Sequence, residues 1–173
     1  MLILIPPSER KSKVESTETV FQNTNFKFSN EVSEIIRVLK DKEEKELQSI
    51  YSTSIEKSEQ LHLQNLNIFQ GKCAPAIERY TGVVYSHIDW NNLDLKSQEY
   101  IEEHLRIFSG LFGIVTPKTL IPEYKLKMNV LSLDKFWKPI LTKELKAHDL
   151  IIDLLPQVHR KAYQSAENIT KID

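Results

Sequence analysis

A chain of 173 residues with 40% hydrophobic and 27% charged residues has the length and balance of one soluble globular domain. Its net charge of −1 excludes a strong overall positive field, so any contact with nucleic acid must use a local basic face. The single Cys73 excludes an internal disulfide and fits a reducing compartment.

The first predicted element is a buried strand. Leu2 to Ile5 is a continuous apolar run that meets Pro6 and Pro7 directly, which is typical of a central strand covered on both faces. The run is too short for a signal-peptide core or a membrane span. We therefore expect a cytoplasmic protein that makes no membrane contact.

Polar residues 12–28 predict a long surface loop, after which the pattern becomes helical from Ser29. The charged run DKEEKE (41–46) predicts the start of a second helix, and helical periodicity continues toward Leu66. Pro75 predicts the start of a short helix, and the stretch YTGVVYSHID (80–89) indicates a turn followed by a short strand.

The next predicted helix is capped by Asp94 and places Leu105 and Phe108 on its apolar side. Because glycine is favoured in the left-handed conformation just after a helix, we expect Gly110 in that position. Residues 114–115 and 124–131 then predict strands, and Thr116-Pro117 predicts a helical turn between them.

Ser132 predicts the beginning of a helix that carries Phe136 and Trp137 toward the core, and Leu150 to Leu155 predicts a second buried strand. From Gln164 onward we expect frayed chain. Two apolar strands separated by helices predict a single α+β (or α/β) domain with a mixed central sheet and surrounding helices.

The stretch SGLFG (109–113) also admits a helix-hairpin-helix interpretation of residues 98–123. Amide groups of a glycine-containing hairpin bind phosphates of the nucleic-acid backbone, because no side chain intervenes. Nearby charge would come from Arg106, Lys118, Lys125 and Lys127. A helix end followed by a strand explains the same pattern equally well.

The loop SERK (8–11) directly follows the first buried strand. The carboxyl end of a central strand is where ligands usually bind in open α/β sheets, and a lysine there can bind phosphate or carboxylate. A solvated basic loop is the alternative. The sequence contains no dinucleotide or nucleotide-phosphate motif and no metal-binding spacing among its histidines, so we expect neither cofactor nor metal.

Several segments together resemble the YaaA family of peroxide-stress proteins. They are the strand MLILI with its proline-containing loop and Lys11, then YTGVVY, HLRIFSGLFGIVTPKTLIPEYKLKM, KFWKPILTKEL and LIIDLL, which occur in family order over residues 1–155. Members commonly carry Tyr-Arg-Leu-Glu-Met where this chain has Tyr124-Lys125-Leu126-Lys127-Met128, so a base stands in place of an acid.

The resemblance implies a role in limiting oxidative DNA damage and free intracellular iron under hydrogen peroxide. It also implies a helix-hairpin-helix and a positively charged cleft that binds double-stranded or branched DNA. Members continue beyond the length of this chain, so residues 1–173 would form a single YaaA-like domain that lacks the family's C-terminal portion.

Two other functions remain open at this point, namely an enzyme acting on a small phosphorylated or nucleotide-like ligand and a degenerate scaffold without activity. The sequence decides neither the reaction nor the oligomeric state. The candidate residues for ligand or DNA binding are Lys11, Tyr85, Arg106, Ser109, Gly110, Gly113, Lys118, Tyr124 and Lys125. We expect Lys11 and Arg106 to face one cleft at the carboxyl end of the first strand.

Overall fold

The computed structural model describes residues 1–12, 14, 17–164 and 169–171. These residues form a single α+β domain whose hydrophobic residues pack into one core. The α-helices are α1 (Ser29–Lys40), α2 (Glu44–Tyr51), α3 (Ile55–Leu66), α4 (Ala76–Arg79), α5 (Val83–Ile88), α6 (Leu95–His104), α7 (Leu133–Leu145) and α8 (Gln157–Arg160). The strands are β1 (Leu2–Ile5), β2 (Cys73–Pro75), β3 (Leu105–Ser109), β4 (Gly113–Val115), β5 (Leu120–Pro122), β6 (Ile151–Asp153) and β7 (Ile169–Lys171).

Strand β1 lies at the centre of a mixed five-stranded sheet with the order β4-β3-β1-β6-β7. It pairs in parallel with both β3 and β6, whereas β4 runs antiparallel to β3. Leu2 and Leu4 are almost completely buried, as expected of an apolar central strand. The predicted mixed sheet and both apolar strands are therefore confirmed. Strands β2 and β5 form a separate antiparallel pair.

The first helices follow the apolar periodicity of the sequence. Val32, Ile35, Ile36 and Leu39 of α1 are buried, and they recur at the spacing of one helix face. The loop before α1 is more buried than expected, because Phe21 is buried and its ring packs against Phe26 and Phe112.

The predicted helix after Asp94 is too long. Helix α6 ends at His104, and residues 105–109 form strand β3 instead. The apolar residues at 105 and 108 fit a helix face, but Ile107 and Phe108 are both buried in a strand covered on its two sides. Pairing with β1 and β4 decided the conformation, which local spacing could not indicate.

Residues 98–123 do not form a helix-hairpin-helix, because α6 is followed by the three strands β3, β4 and β5. Residues 117–118 make a turn rather than a helical turn. Residues 83–88 form helix α5 where a strand was predicted, and residues 124–131, also predicted to be a strand, belong to no helix or strand.

The prediction of a left-handed Gly110 is wrong, since the glycines with positive φ are Gly82 and Gly113. Gly110 lies in the tight β3–β4 turn, where a Cβ atom would come within 2.5 Å of the Leu126 carbonyl oxygen. Gly113 combines a φ of 69° with the indole ring of Trp137, which a Cβ would approach to 2.7 Å. Gly110 thus allows a close backbone approach, whereas Gly113 combines positive φ with the close approach of an aromatic ring.

The predicted core position of Trp137 is confirmed, because its side chain is fully buried. Its indole Nε1 donates a hydrogen bond of 2.9 Å to the Gly110 carbonyl oxygen, which ties α7 to the β3–β4 turn. The fraying predicted from Gln164 onward falls mainly outside the described residues. No helix among the described residues is long and apolar enough to cross a membrane.

Candidate functional site

The carboxyl ends of β1, β3 and β6 lie at one edge of the sheet, because the three strands are parallel. The loop carrying Lys11 follows β1, Ser109 ends β3, and His159 follows β6. A pocket of about 260 Å³ opens at this edge, where open α/β sheets usually bind ligands. We call it the Lys11 pocket; its lining consists of Pro7, Ser8, Glu9, Lys11, Tyr124, Lys125, Leu126, Lys127, Asn129, Val158 and His159.

The Lys11 ammonium lies over two tyrosine rings. Its Nζ atom is 4.3 Å from the ring centre of Tyr124 and 5.4 Å from that of Tyr80. Its hydrogen bond to the Ser8 carbonyl oxygen is long, at 3.3 Å. Burial, assisted by the nearby charge of Lys125, lowers the pKa of Lys11 to about 8.

The backbone around Lys11 is fixed by residues next to α4. Ser12 N donates to the Arg79 carbonyl oxygen at 2.8 Å, and the guanidinium of Arg79 donates back to the Ser12 carbonyl oxygen at 3.2 Å. Thr81 N donates to the Ser8 hydroxyl at 2.9 Å. These bonds tie the residues on either side of Lys11 to the end of α4 and to Thr81.

A hydrogen-bonded chain of three hydroxyl groups lies beneath Lys11. The Tyr124 hydroxyl is 2.7 Å from that of Tyr80 and 2.8 Å from that of Ser109. Ser109 also accepts a hydrogen bond from Phe112 N at 3.0 Å, which closes the β3–β4 turn. Burial raises the pKa of Tyr124 to about 12 and that of Tyr80 as well, so both phenols are protonated at neutral pH and can donate.

The segment carrying Lys125 is held by a side chain of α3. Asn65 donates from Nδ2 to the Lys125 carbonyl oxygen at 2.8 Å and accepts from Lys125 N at 3.3 Å. This reciprocal pair replaces the backbone ladder that the segment lacks. Asn65 is fully buried and also donates to the Tyr51 hydroxyl, so the segment is fixed to the core.

His159 lines the same pocket, and one of its ring nitrogens is buried. Its buried Nδ1 atom has no hydrogen-bond partner among the described residues. Burial lowers the pKa of His159 to about 4, so the imidazole is neutral at physiological pH. A neutral imidazole at a pocket wall can accept a proton or a hydrogen bond from a ligand.

A buried carboxylate positions the segment that carries His159. Asp153, at the end of β6, accepts hydrogen bonds from Leu155 N at 2.8 Å and from Arg160 Nε at 3.1 Å. The Tyr163 hydroxyl donates to the same carboxylate. Because Asp153 is fully buried, this cluster compensates its charge and fixes the turn from β6 into α8.

Among the predicted site residues, Lys11, Tyr124 and Lys125 line this pocket, and Ser109 supports it from below. Gly110 lies directly under residues 126–127, so its lack of a side chain lets that pocket wall approach the β3–β4 turn. Gly113 packs against Trp137 and is not among the lining residues.

The structure separates Arg106 from Lys11. Arg106 lines a different pocket of about 500 Å³, together with Lys27 and Glu144, and no lining residue is shared with the Lys11 pocket. Its guanidinium donates to the carbonyl oxygens of Glu102 and Leu105 at 3.1 and 2.8 Å. The expected shared cleft for Lys11 and Arg106 is therefore wrong.

Two further candidates also lie outside the Lys11 pocket. Tyr85 packs on Tyr80 and donates to the Pro6 carbonyl oxygen at 2.7 Å, so it supports the loop after β1. Lys118 is exposed, and its backbone N donates to the Glu102 carboxylate at 2.7 Å.

Sequence reasoning did not identify His159, Tyr80 or Arg79 as neighbours of Lys11. For His159 a signal existed, because it follows the second apolar strand as Lys11 follows the first. Tyr80 and Arg79 carry no comparable signal, since only tertiary packing brings their helix beside the loop.

The amino-acid sequence is similar to the family described as "Peroxide stress protein YaaA" over residues 1–172. It is 30% identical over 159 residues to a UPF0246 protein of Finegoldia magna, which covers 87% of this chain and 62% of that relative. UPF0246 proteins of Francisella tularensis subsp. tularensis and subsp. novicida are also 30% identical, with coverages of 86% and 62%. The chain thus spans about 62% of the length of these curated relatives.

Proposed function

The chain belongs to the YaaA family of peroxide stress proteins, and from that premise we propose that it binds DNA phosphates at the Lys11 pocket. The pocket would hold the sugar-phosphate backbone without reading the base sequence. In a cell exposed to hydrogen peroxide, this binding would help to limit oxidative DNA damage and free intracellular iron. The proposal includes a cytoplasmic location, as expected from the single cysteine.

The observation that carries the proposal is the convergence of three lysines on one small pocket. Lys11, Lys125 and Lys127 all line it, although the chain as a whole carries a net charge of −1. Lys127 is 3.4 Å from Glu9, whereas neither Lys11 nor Lys125 forms an ion pair within the described part of the chain. Lysines without carboxylate partners favour an external anion, and phosphate is the anion that DNA presents.

The size of the pocket limits what enters it. At about 260 Å³ it can accept a phosphate with its sugar but not a duplex, which must lie across the opening. Contacts to the backbone carry no sequence information. We therefore expect binding that depends strongly on salt and only weakly on sequence.

The proposed binding is tested by titrating a labelled duplex across a series of salt concentrations. Three lysines that neutralise about three phosphates predict a log–log slope of roughly −2.7. Lys125→Ala should reduce the slope by about 0.9, because one phosphate contact is lost. Lys118→Ala is the matched control, since Lys118 is exposed and lies outside the pocket, and it should leave the slope unchanged.

Absence of binding at low salt by the folded protein would contradict the proposal. An equal loss of slope in Lys118→Ala and Lys125→Ala would place the contact elsewhere on the surface. The cellular part is tested by complementing a deletion strain under hydrogen peroxide. The unaltered protein should restore survival and lower the free-iron signal, whereas Lys125→Ala should do neither.

An enzyme acting on a small phosphorylated or nucleotide-like ligand is the second candidate function. The lowered pKa values of Lys11 and His159, which line the same pocket, favour it, because perturbed titratable groups cluster in active sites. Saturable binding of nucleoside monophosphates, with no binding of duplex, would support this function over the first.

A further inference from the structure

We propose that Lys11 is a nucleophilic amine, which forms an imine with an aldehyde carried beside a phosphate. This inference rests on the proposed function, because the lysines that bind DNA phosphates would hold the same group next to Lys11. An aldehyde beside a phosphate occurs in the opened sugar of an abasic site in DNA and in small sugar phosphates. Both sources share the chemistry that the pocket would recognise.

The placement of Lys11 differs from that of an ordinary ion-pairing lysine. Its Nζ atom lies over two aromatic rings, and its hydrogen bond to a neutral carbonyl is 3.3 Å long. Partial burial makes the charged form costly, and the rings of Tyr80 and Tyr124 compensate less than water would. Buried lysines of this kind serve as Schiff-base nucleophiles in proteins.

Some of the charges around Lys11 lower its pKa and others raise it. Desolvation by burial is the main effect and lowers the pKa to about 8, with Lys125 and Arg79 contributing in the same direction. Glu123 and Glu9 oppose it. At pH 7, about a tenth of the side chains would be neutral amine, against fewer than about one in a thousand for a solvent-exposed lysine.

The reaction is an addition followed by loss of water. The amine nitrogen attacks the carbonyl carbon, and the N–C bond forms as the C–O π electrons move to oxygen. The two amine protons then leave with that oxygen as one water molecule, giving the C=N bond. His159 lines the same pocket as a neutral imidazole. No oxidant or reductant is needed for the step.

The other residues of the pocket would bind the phosphate and the imine. Lys125 and Lys127 would hold the phosphate, which fixes the aldehyde near Lys11 and replaces a bimolecular encounter by an oriented one. Tyr124 packs against the amine from below and carries a protonated hydroxyl. Its ring shields one side of the imine from water.

The inference is tested by trapping the imine with sodium cyanoborohydride, which converts it into a stable amine. One arm uses a labelled duplex with a single abasic site, and the other uses D-glyceraldehyde 3-phosphate. We expect a mass increase on the peptide that contains Lys11 in at least one arm. Trapping only with the abasic duplex would identify DNA as the source, and trapping only with the small phosphate would identify a metabolite.

Lys11→Arg keeps the positive charge but forms no stable imine, so the adduct should be lost. Lys135→Arg changes an exposed lysine and should trap as the unaltered protein does. Peptide mapping of the unaltered protein gives the result even where Lys11→Arg fails to fold. Adducts spread over exposed lysines with Lys11 unmodified, or no adduct with either probe, would overturn the inference.

Binding of an undamaged duplex without reductant separates this inference from the proposed function. If the duplex binds and no adduct forms, DNA binding stands and the imine is wrong. If the duplex does not bind but the small phosphate is trapped on Lys11, DNA binding is wrong and the imine stands.

Discussion

Gly113 meets two independent constraints at one residue. Its φ of 69° disfavours any side chain, and the Trp137 ring occupies the space that a Cβ would need. Gly82 meets only the first constraint, because its φ is 114° and no atom lies within 4 Å of the position that a Cβ would take. Comparing substitutions at Gly113 and Gly82 therefore separates the cost of backbone strain from that of steric overlap.

Gly113→Ala should destabilise the protein more than Gly82→Ala. Both variants incur backbone strain of about 1–3 kcal/mol, but only the first also overpacks the core, which adds about 1–3 kcal/mol. Urea unfolding of the two variants measures the difference. Equal losses of unfolding free energy would mean that Trp137 moves aside without cost.

Cys73 should not react with hydrogen peroxide in the folded protein. The side chain is fully buried, and burial raises the pKa of its thiol to about 11. At pH 7 only about one thiol in ten thousand would be the reactive thiolate. Intact-mass and peptide analysis after peroxide treatment should find Cys73 unmodified while exposed Met1 is oxidised, whereas an oxidised Cys73 would contradict this prediction.

At the scale of elements, the position of the segment that carries Lys125 depends on α3. Asn65→Ala should lower the unfolding free energy by about 1–3 kcal/mol, because it leaves buried backbone groups of Lys125 without partners. It should also weaken duplex binding. Gln64→Ala is the matched control, since Gln64 makes one exposed hydrogen bond to the Glu123 carbonyl oxygen. Equal stability of the two variants would show that the segment holds itself in place.

The sequence predicted the elements whose apolar pattern agrees with their environment. Residues 2–5 and 151–153 are strands, and α1 buries the face that its periodicity indicates. The failure at residues 105–109 has a physical cause, because a strand covered on both sides shows no alternation. Its apolar spacing therefore matched a helix by coincidence.

The candidate site was predictable only in part. The edge at which Lys11 lies follows from a general property of parallel sheets, so the loop after β1 could be singled out. The separation of Lys11 from Arg106 could not be predicted, because it depends on which end of β3 carries the arginine. Because the sequence pattern assigned residues 105–108 to a helix, it could not indicate the place of Arg106 in a strand.

For the whole molecule, we expect stability to fall as the pH falls from about 6.5 to about 4. The pKa of His159 is lowered to about 4 in the fold, so the unfolded chain binds its proton first. Protons therefore favour unfolding across this range, and stability is regained above it. Burial lowers the pKa values of His62 and His148 in the same direction.

Between pH 7 and pH 5, His159 should account for a loss of about 2 kcal/mol of unfolding free energy. His159→Gln should flatten the pH dependence of urea unfolding over this interval. His87→Gln, at an exposed histidine, is the matched control and should retain the slope of the unaltered protein. A slope unchanged in His159→Gln would show that the imidazole is solvated in the fold.

The central position of β1 has a consequence for the order in which the chain can fold during synthesis. Ile3 pairs with Leu105 and Leu4 pairs with Asp153, residues that the ribosome adds long after the first strand has emerged. The apolar run LILI therefore remains unpaired until β3 and β6 have been synthesised, and such long-range pairing forms slowly. Pro6, Pro7 and the charged residues Glu9 to Lys11 directly follow the run, and prolines and charges beside an apolar strand discourage aggregation. The loop that lines the Lys11 pocket in the finished protein would thus protect the nascent chain from association until β6 pairs with β1.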